Sequence, residues 1–162
     1  MGIAQCAFSF YVLEPEGWGP DWAWGIPLIV LTVVIHVLAL GYINHRTSSL
    51  SSRVMERKHP TAAFAMVMGT VTLLATILHA AEAGIWALAF RFIGALPDLR
   101  DAMLYSLSAI TSYGHATLTL ENQWQLLGAI EALNGWLLFG LTTAFLFGML
   151  QKVWSLGKRE IF

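Results

Sequence analysis

Three stretches of the chain contain no Asp, Glu, Lys or Arg over about 20 residues each. They are residues 25–44, 61–81 and 132–151. A helix needs about 20 mostly apolar residues to cross the hydrocarbon core of a bilayer. Inside that core a helix satisfies its own backbone polar groups, which an open irregular chain cannot do. The three stretches therefore predict an all-α integral membrane protein with three transmembrane helices.

The overall composition favours a membrane protein over other classes. Of the 162 residues, 57% are hydrophobic and 12% are charged, whereas soluble domains carry about 25% charged residues. The net charge of −1 gives no reason to expect a nucleic-acid partner. Cys6 is the single cysteine, so we expect neither an intrachain disulfide nor a cluster of thiolate ligands for a metal. No arrangement of catalytic residues indicates an enzyme, and no cofactor is expected.

A more polar segment, residues 97–124, lies between the second and third apolar stretches. It holds a short helix-like run, then Ile-Thr-Ser-Tyr-Gly-His at 110–115, then a polar turn. The segment is too short and too polar to span a bilayer alone. The simplest arrangement is a re-entrant loop, because non-helical backbone survives at membrane depth only where it is buried in protein or lines a water-filled path.

The order of elements over roughly residues 60–153 resembles the pore module of the small bacterial potassium-channel family. That family's filter is of the type Thr-Val-Gly-Tyr-Gly-Asp, of which Tyr113 and Gly114 are kept here. The resemblance implies a homotetrameric potassium-channel-like pore, because one loop supplies only one side of a closed ring. It also implies an outer helix, a pore helix at 98–109, a filter at 110–115 and an inner helix at 124–153.

The resemblance also implies roles for individual residues. The filter residues that would contact a permeant monovalent cation, K⁺ or Na⁺, are Thr111, Ser112, Tyr113 and Gly114, with Ile110 and His115 on either side. The acid and the amide expected to support the filter from the inner helix are Glu131 and Asn134. The residues that would allow the inner helix to bend or would line a hydrated cavity are Gly135, Gly140, Thr142 and Thr143.

Three departures from the family's filter raise alternatives. Ile110 replaces a threonine whose hydroxyl lines the inner mouth, and His115 replaces an acid that braces the filter. Ser112 replaces a glycine, and a serine with positive φ is strained. The leading prediction is a tetrameric, potassium-conducting cation channel. The alternatives are a non-selective or sodium-permeable channel of the same fold and a non-conducting relative.

The distribution of basic residues predicts the topology. The segment 45–59 and the residues after 151 hold seven of the nine Lys and Arg residues, and basic residues favour the cytoplasmic side. We therefore expect a multi-pass protein of the cell membrane with the N-terminus outside and the C-terminus in the cytoplasm. Residues 1–24 are rich in aromatics and form an expected interfacial segment, and 25–59 hold the first span and a basic cytoplasmic loop. Residues 154–162 form a cytoplasmic tail.

Three ionisable residues lie in or beside the apolar stretches. His36 falls in the middle of the first stretch, and an intramembrane ionisable group indicates a functional site by default. The favoured interpretation is nevertheless a neutral histidine that bonds to a neighbouring helix. His79 and Glu82 share a helix face, a spacing that suits a weak metal-ligand pair or a structural contact near the pore helix. Glu82 is expected near the outer membrane boundary, with His36 well below His79. This difference in depth counts against a single site, and therefore against a membrane enzyme or metal-binding protein.

Overall fold

The computed structural model describes residues 18–55, 60–114 and 118–159. The described residues form helices and connections without any strand. The four α-helices are α1 (Gly19–Met55), α2 (Pro60–Phe92), α3 (Leu99–Ile110) and α4 (Gln125–Arg159). A 3₁₀ turn, Asn122–Trp124, leads into α4. The chain is thus all-α, as the sequence predicts.

Three of these helices are long and apolar enough to cross a membrane. The candidate spans are Gly19–Thr47, Phe64–Phe92 and Asn122–Gln151, and they contain the first and third charge-free stretches and all but the first three residues of the second. Each reaches beyond its stretch, because a few polar residues at a helix end do not stop the helix. In particular, α1 begins at Gly19 inside the expected interfacial segment and continues through the expected basic loop to Met55. These three spans make the chain a multi-pass membrane protein.

Local signals in the chain explain where the short helix α3 starts and where α2 ends before it. Asp98 adopts an extended conformation, and its carboxylate accepts a hydrogen bond from the Arg100 amide at 2.7 Å, which caps the helix. Before it, α2 ends where Gly94 takes φ 77°. There the Ala95 amide donates to the Phe90 carbonyl, so the last turn of α2 closes on itself. The chain therefore turns back after α2 and starts α3 at the same end of the bundle.

Pairs of contacts define how the spans are arranged. The Asp21 carboxylate accepts from the Leu127 amide at one end, and His36 meets Thr142 further along, so α1 and α4 run parallel. Trp24 packs edge-on against Phe92. Since His36 also meets Glu82, α1 and α2 run antiparallel. The helix α3 packs between α2 and α4, and their shared core includes the fully buried Trp86, Phe90, Ala102 and Leu127.

Candidate functional site

The C-terminal end of α3 lies against the middle of α4. A Cβ atom added to Gly135 would overlap the backbone carbonyl of Ile110, and one added to Gly128 would overlap the Tyr105 hydroxyl. Gly135 is the fourteenth of the 30 residues of the candidate span Asn122–Gln151. The carbonyl end of α3 therefore meets the third span near its middle.

The backbone turns sharply where α3 ends. The Ser112 amide donates to the Ala109 carbonyl and the Tyr113 amide donates to the Ser108 carbonyl, each at 2.9 Å, which closes the last turn. Thr111 has φ −87°, whereas Ser112 has φ 54° and Gly114 has φ 75°. Ser112 thus takes the left-handed conformation that the glycine it replaces would adopt freely, at a cost of order 1 kcal/mol.

The expected filter residues are exposed in the isolated chain. Thr111, Ser112, Tyr113 and Gly114 are all exposed, and Tyr113 retains 85% of its accessible surface. The Thr111 hydroxyl donates back to the Leu107 carbonyl at 2.6 Å. The expected flanking residue Ile110 belongs to α3 and is buried. The other flank, His115, lies outside the described residues.

Trp136 of α4 forms a hydrogen bond with the turn. Its indole N–H donates to the Ser112 hydroxyl at 2.8 Å, while 71% of the residue's surface stays exposed. Sequence reasoning missed this contact, because a tryptophan within a long apolar helix gives no indication of a partner 24 residues away. The hydrogen bond ties the strained residue of the turn to the third span.

The two residues expected to support the filter point to different neighbours. Glu131 is fully buried and faces Ser106 of α3, behind the turn. The two groups are not aligned for a hydrogen bond, and neither carboxylate oxygen finds a partner among the described residues. Asn134 is also fully buried, but its amide donates to the Thr32 hydroxyl of α1 at 2.9 Å. Glu131 thus faces α3, whereas the Asn134 amide bonds to α1.

Tyr105 lies on α3 near Glu131. Burial and the neighbouring Glu131 carboxylate raise the pKa of the Tyr105 phenol to about 12. The phenol therefore remains protonated across the physiological range, and its hydroxyl packs against α4 at Gly128.

The residues expected to act in gating or in a cavity occupy different environments. Gly135 is where α3 approaches α4 closely, whereas an added Cβ at Gly140 would meet nothing within 4 Å. The exposed Thr143 hydroxyl bonds to the Phe139 carbonyl of its own helix at 2.9 Å. Thr142 is buried and bonds to two histidines instead of facing a cavity.

The second polar cluster joins the three spans inside the bundle. His36 Nδ1 lies 2.9 Å from Glu82 Oε1, and His36 Nε2 lies 3.0 Å from Thr142 Oγ1. His79 Nε2 lies 3.1 Å from the same Thr142 oxygen, and His79 Nδ1 lies 3.5 Å from Glu82 Oε2. The four side chains form a closed ring that we call the His–Glu ring. His36 and Glu82 are fully buried, and the His79 side chain is 13% exposed.

The His–Glu ring corrects the expected difference in depth between His36 and His79. The expectation was wrong because it placed Glu82 near the outer boundary. The second span instead continues to Phe92, and Trp24 of α1 packs beside that residue. Measured from this contact, His36 lies about as far along α1 as Glu82 lies along α2. The two side chains are therefore at the same level. The Glu82 carboxylate therefore contacts α1.

The structure also gives Asp21 a role that sequence reasoning missed. The residue is 1% exposed, and its carboxylate accepts from the Leu127 amide at 2.9 Å. That amide is one of the free donors in the first turn of α4, so Asp21 caps a helix that begins about 100 residues later in the chain. An acid in the first turn of α1 would ordinarily be interpreted as stabilising α1 itself.

Comparison with known proteins found no family profile, no curated protein and no solved structure that matches this chain. Two arrangements within the chain itself therefore carry the functional evidence. One is the carbonyl end of α3 with the exposed turn that follows it, and the other is the His–Glu ring.

Proposed function

We propose that the chain is the subunit of a homotetrameric cation channel that conducts potassium through residues 111–114. The observation that carries the proposal is the position of the α3 C-terminus, which meets Gly135 in the middle of the third span. The carbonyl end of a helix carries a partial negative charge. At this depth that charge attracts a cation into a region that otherwise repels ions.

The exposed turn after α3 supports an assembly of several copies. Residues 111–114 are non-helical, exposed, and joined to a helix end at mid-span depth. Lipid cannot satisfy the hydrogen-bonding groups of such a backbone. The turn therefore needs water or other protein around it, and copies arranged about an axis provide both. A closed ring requires identical contacts between copies, and the channel resemblance implies four of them.

A neighbouring face of α4 also supports this assembly. Leu133, Trp136 and Leu137 lie on one side of the helix and are each more than half exposed. Trp136 on this face holds Ser112. The apolar face is thus continuous with the turn at 112–114. In the proposed tetramer this face packs against the adjacent subunit, and the turn faces the axis.

The arrangement of charges supports the proposed orientation. The N-terminal ends of α1 and α4 meet at Asp21 and Leu127, and they lie at the same end of the helix bundle as α3. Seven of the nine Lys and Arg residues belong to the segment 45–59 or follow residue 151, toward the opposite end. The positive-inside rule then gives an N-terminus outside the cell and a pore loop that enters from outside.

A non-selective channel is the second candidate, and the helix end favours it. The carbonyls of Ser108 and Ala109 accept hydrogen bonds from the turn. The Ile110 carbonyl lies against Gly135, so any ring of carbonyls must begin at residue 111. The Thr111 hydroxyl bonds back into α3. A filter with few carbonyl rings replaces less of an ion's hydration shell and discriminates less between potassium and sodium.

Ion flux from liposomes tests the proposal. The purified protein would be reconstituted and its assembly state measured, and potassium and sodium gradients would then be run separately. Potassium flux well above sodium flux is the expected result. Equal fluxes would support the non-selective pore. Flux of neither ion, in a preparation shown to be tetrameric, would contradict the channel proposal and favour a non-conducting relative.

Trp136→Phe links any flux to the turn. The substitution removes the indole donor to Ser112 but keeps an aromatic ring. We expect a changed ratio of potassium to sodium flux, because the substitution removes the one side-chain hydrogen bond described between the strained turn and α4. Trp22→Phe, at an exposed position of α1, is the matched control and should leave the ratio unchanged. An unchanged ratio in both variants would place the ion path away from Ser112.

A further inference from the structure

We propose that His36, His79 and Glu82 bind a divalent transition-metal ion of the zinc class through both imidazole Nδ1 atoms and the carboxylate, while the Thr142 hydroxyl lies on the Nε2 side of both imidazoles and orients them. The three side chains offer ligand atoms within 4.8 Å of one another. Two imidazoles and one carboxylate are a donor set that zinc uses in proteins. This inference does not depend on the chain being a channel.

A count of hydrogen atoms shows that one contact of the His–Glu ring lacks a hydrogen. The ring has four contacts, and each contact needs one hydrogen between two acceptor atoms. With Glu82 ionised and both histidines neutral, the donors are one N–H on each imidazole and one O–H on Thr142. Three hydrogens cannot fill four contacts. One of the four contacts is therefore left with two facing lone pairs: it lies at Thr142 if both imidazoles carry their hydrogen on Nδ1, and at Glu82 if either imidazole carries it on Nε2.

The distances identify the contact that is unfilled. The His36–Glu82 pair, at 2.9 Å, has the length of a hydrogen bond. For His36 to bind a metal ion through Nδ1, its hydrogen moves to Nε2, where it donates to the Thr142 hydroxyl oxygen. The His79–Glu82 pair is longer, at 3.5 Å, and both of its atoms, His79 Nδ1 and Glu82 Oε2, lack a hydrogen-bond partner although they are buried. These two buried and unpartnered atoms mark the position that we assign to the cation.

The length of the unfilled contact favours a metal ion over a proton. A shared proton would draw the two atoms to about 2.7–2.9 Å, the usual distance of a charge-assisted hydrogen bond. Two ligands of a tetrahedral zinc ion lie about 3.3 Å apart, since zinc–nitrogen and zinc–oxygen bonds are about 2.0–2.1 Å. The observed 3.5 Å is close to that separation.

The surroundings of the His–Glu ring orient its ligands. The His79 ring stacks on Phe139 with centroids 5.0 Å apart, which holds the plane of the imidazole. His36 is held between Glu82 and Thr142. Because His79 alone of the three is partly exposed, a metal ion would enter past it. A bound ion would cross-link α1 and α2 directly, and α4 through Thr142, at one level of the helix bundle.

Metal analysis of the purified protein tests this inference. The protein in detergent would be stripped with a chelator, loaded with zinc, freed of excess metal by gel filtration and assayed for zinc per chain. We expect one zinc ion per chain. Glu82→Gln and His36→Gln should weaken zinc binding by more than about 100-fold, because even partners outside the ligand shell contribute about 10–100-fold. His45→Gln, on the same helix as His36 but outside the ring, is the matched control and should bind zinc as the unaltered chain does.

A spectroscopic measurement keeps the test independent of how the variants fold. X-ray absorption of the zinc-loaded, unaltered protein should show a shell of nitrogen and oxygen ligands with imidazole scattering. A folded, unaltered protein that retains no zinc after loading would overturn the inference and leave the fourth contact to a proton. Retention of zinc by folded Glu82→Gln and His36→Gln variants would also overturn it, as would a ligand shell without imidazole.

Discussion

Replacing Gly135 by alanine tests whether α3 reaches the middle of α4. A Cβ atom at this position would overlap the Ile110 carbonyl oxygen, and the carbonyl carbon and Cα of the same residue lie within 3 Å of it. The overlapping atoms are all backbone, so no side chain can swing away to make room. Either α3 moves as a unit or the added methyl group distorts α4.

A second glycine of the same helix provides the reference for the size of this effect. A Cβ at Gly140 would meet nothing within 4 Å. Both substitutions gain about 1 kcal/mol of helix propensity, so this gain cancels when the two variants are compared. Inserting a methyl group into a closely packed contact costs about 1–3 kcal/mol. We therefore expect Gly135→Ala to be less stable than Gly140→Ala by about 1–3 kcal/mol.

The assay is unfolding in mixed micelles, followed by circular dichroism, which gives the free energy of unfolding of both variants under the same conditions. Gly140→Ala should be as stable as the unaltered chain or slightly more stable. Equal stabilities of Gly135→Ala and Gly140→Ala would refute the close approach of α3 to α4. The mid-span depth of residues 111–114 would then also be refuted, since it follows from this contact.

Two further predictions concern other contacts of the fold. Asp21→Ala removes the cap on the Leu127 amide and should lower the free energy of unfolding by about 1 kcal/mol, within a range of about 0.5–2 kcal/mol; an unchanged unfolding curve would show that the cap does not contribute. Tyr105 should ionise near pH 12 in the folded chain, so its protonated form favours folding below pH 10 and this contribution is lost as the pH rises towards 12. The pKa is measured by following tyrosinate absorbance against pH in the unaltered chain and subtracting the signal of the Tyr105→Phe variant. Ionisation of Tyr105 near its ordinary value of about 10 would contradict the burial of the phenol.

The helices are the part of the structure that local sequence determines. Charge-free stretches of membrane-spanning length predict all three spans. Asp98 predicts the start of α3, because an aspartate at this position caps the helix that follows. These signals act within a few residues, which is why they can be recognised without knowing how the helices pack.

The His–Glu ring shows what local sequence does not determine. The spacing of His79 and Glu82 places them on one face of α2, but their meeting with His36 depends on how far α1 is shifted along α2. That shift follows from contacts such as the packing of Trp24 on Phe92. The hydrogen bond from Trp136 to Ser112 likewise joins distant parts of the chain. An isolated helix contains no signal for contacts of this kind.

Cross-linking at Tyr113 tests most directly whether the turn after α3 lies at an axis shared by several copies. The experiment uses Tyr113→Cys with Cys6→Ser, so that the introduced cysteine is the only thiol, and oxidises the protein in its membrane. Val34→Cys, an exposed position on α1, is the control. We predict abundant covalent dimers through position 113 and few through position 34. Equal yields of dimer at the same protein density would contradict a shared axis, and with it the proposed pore.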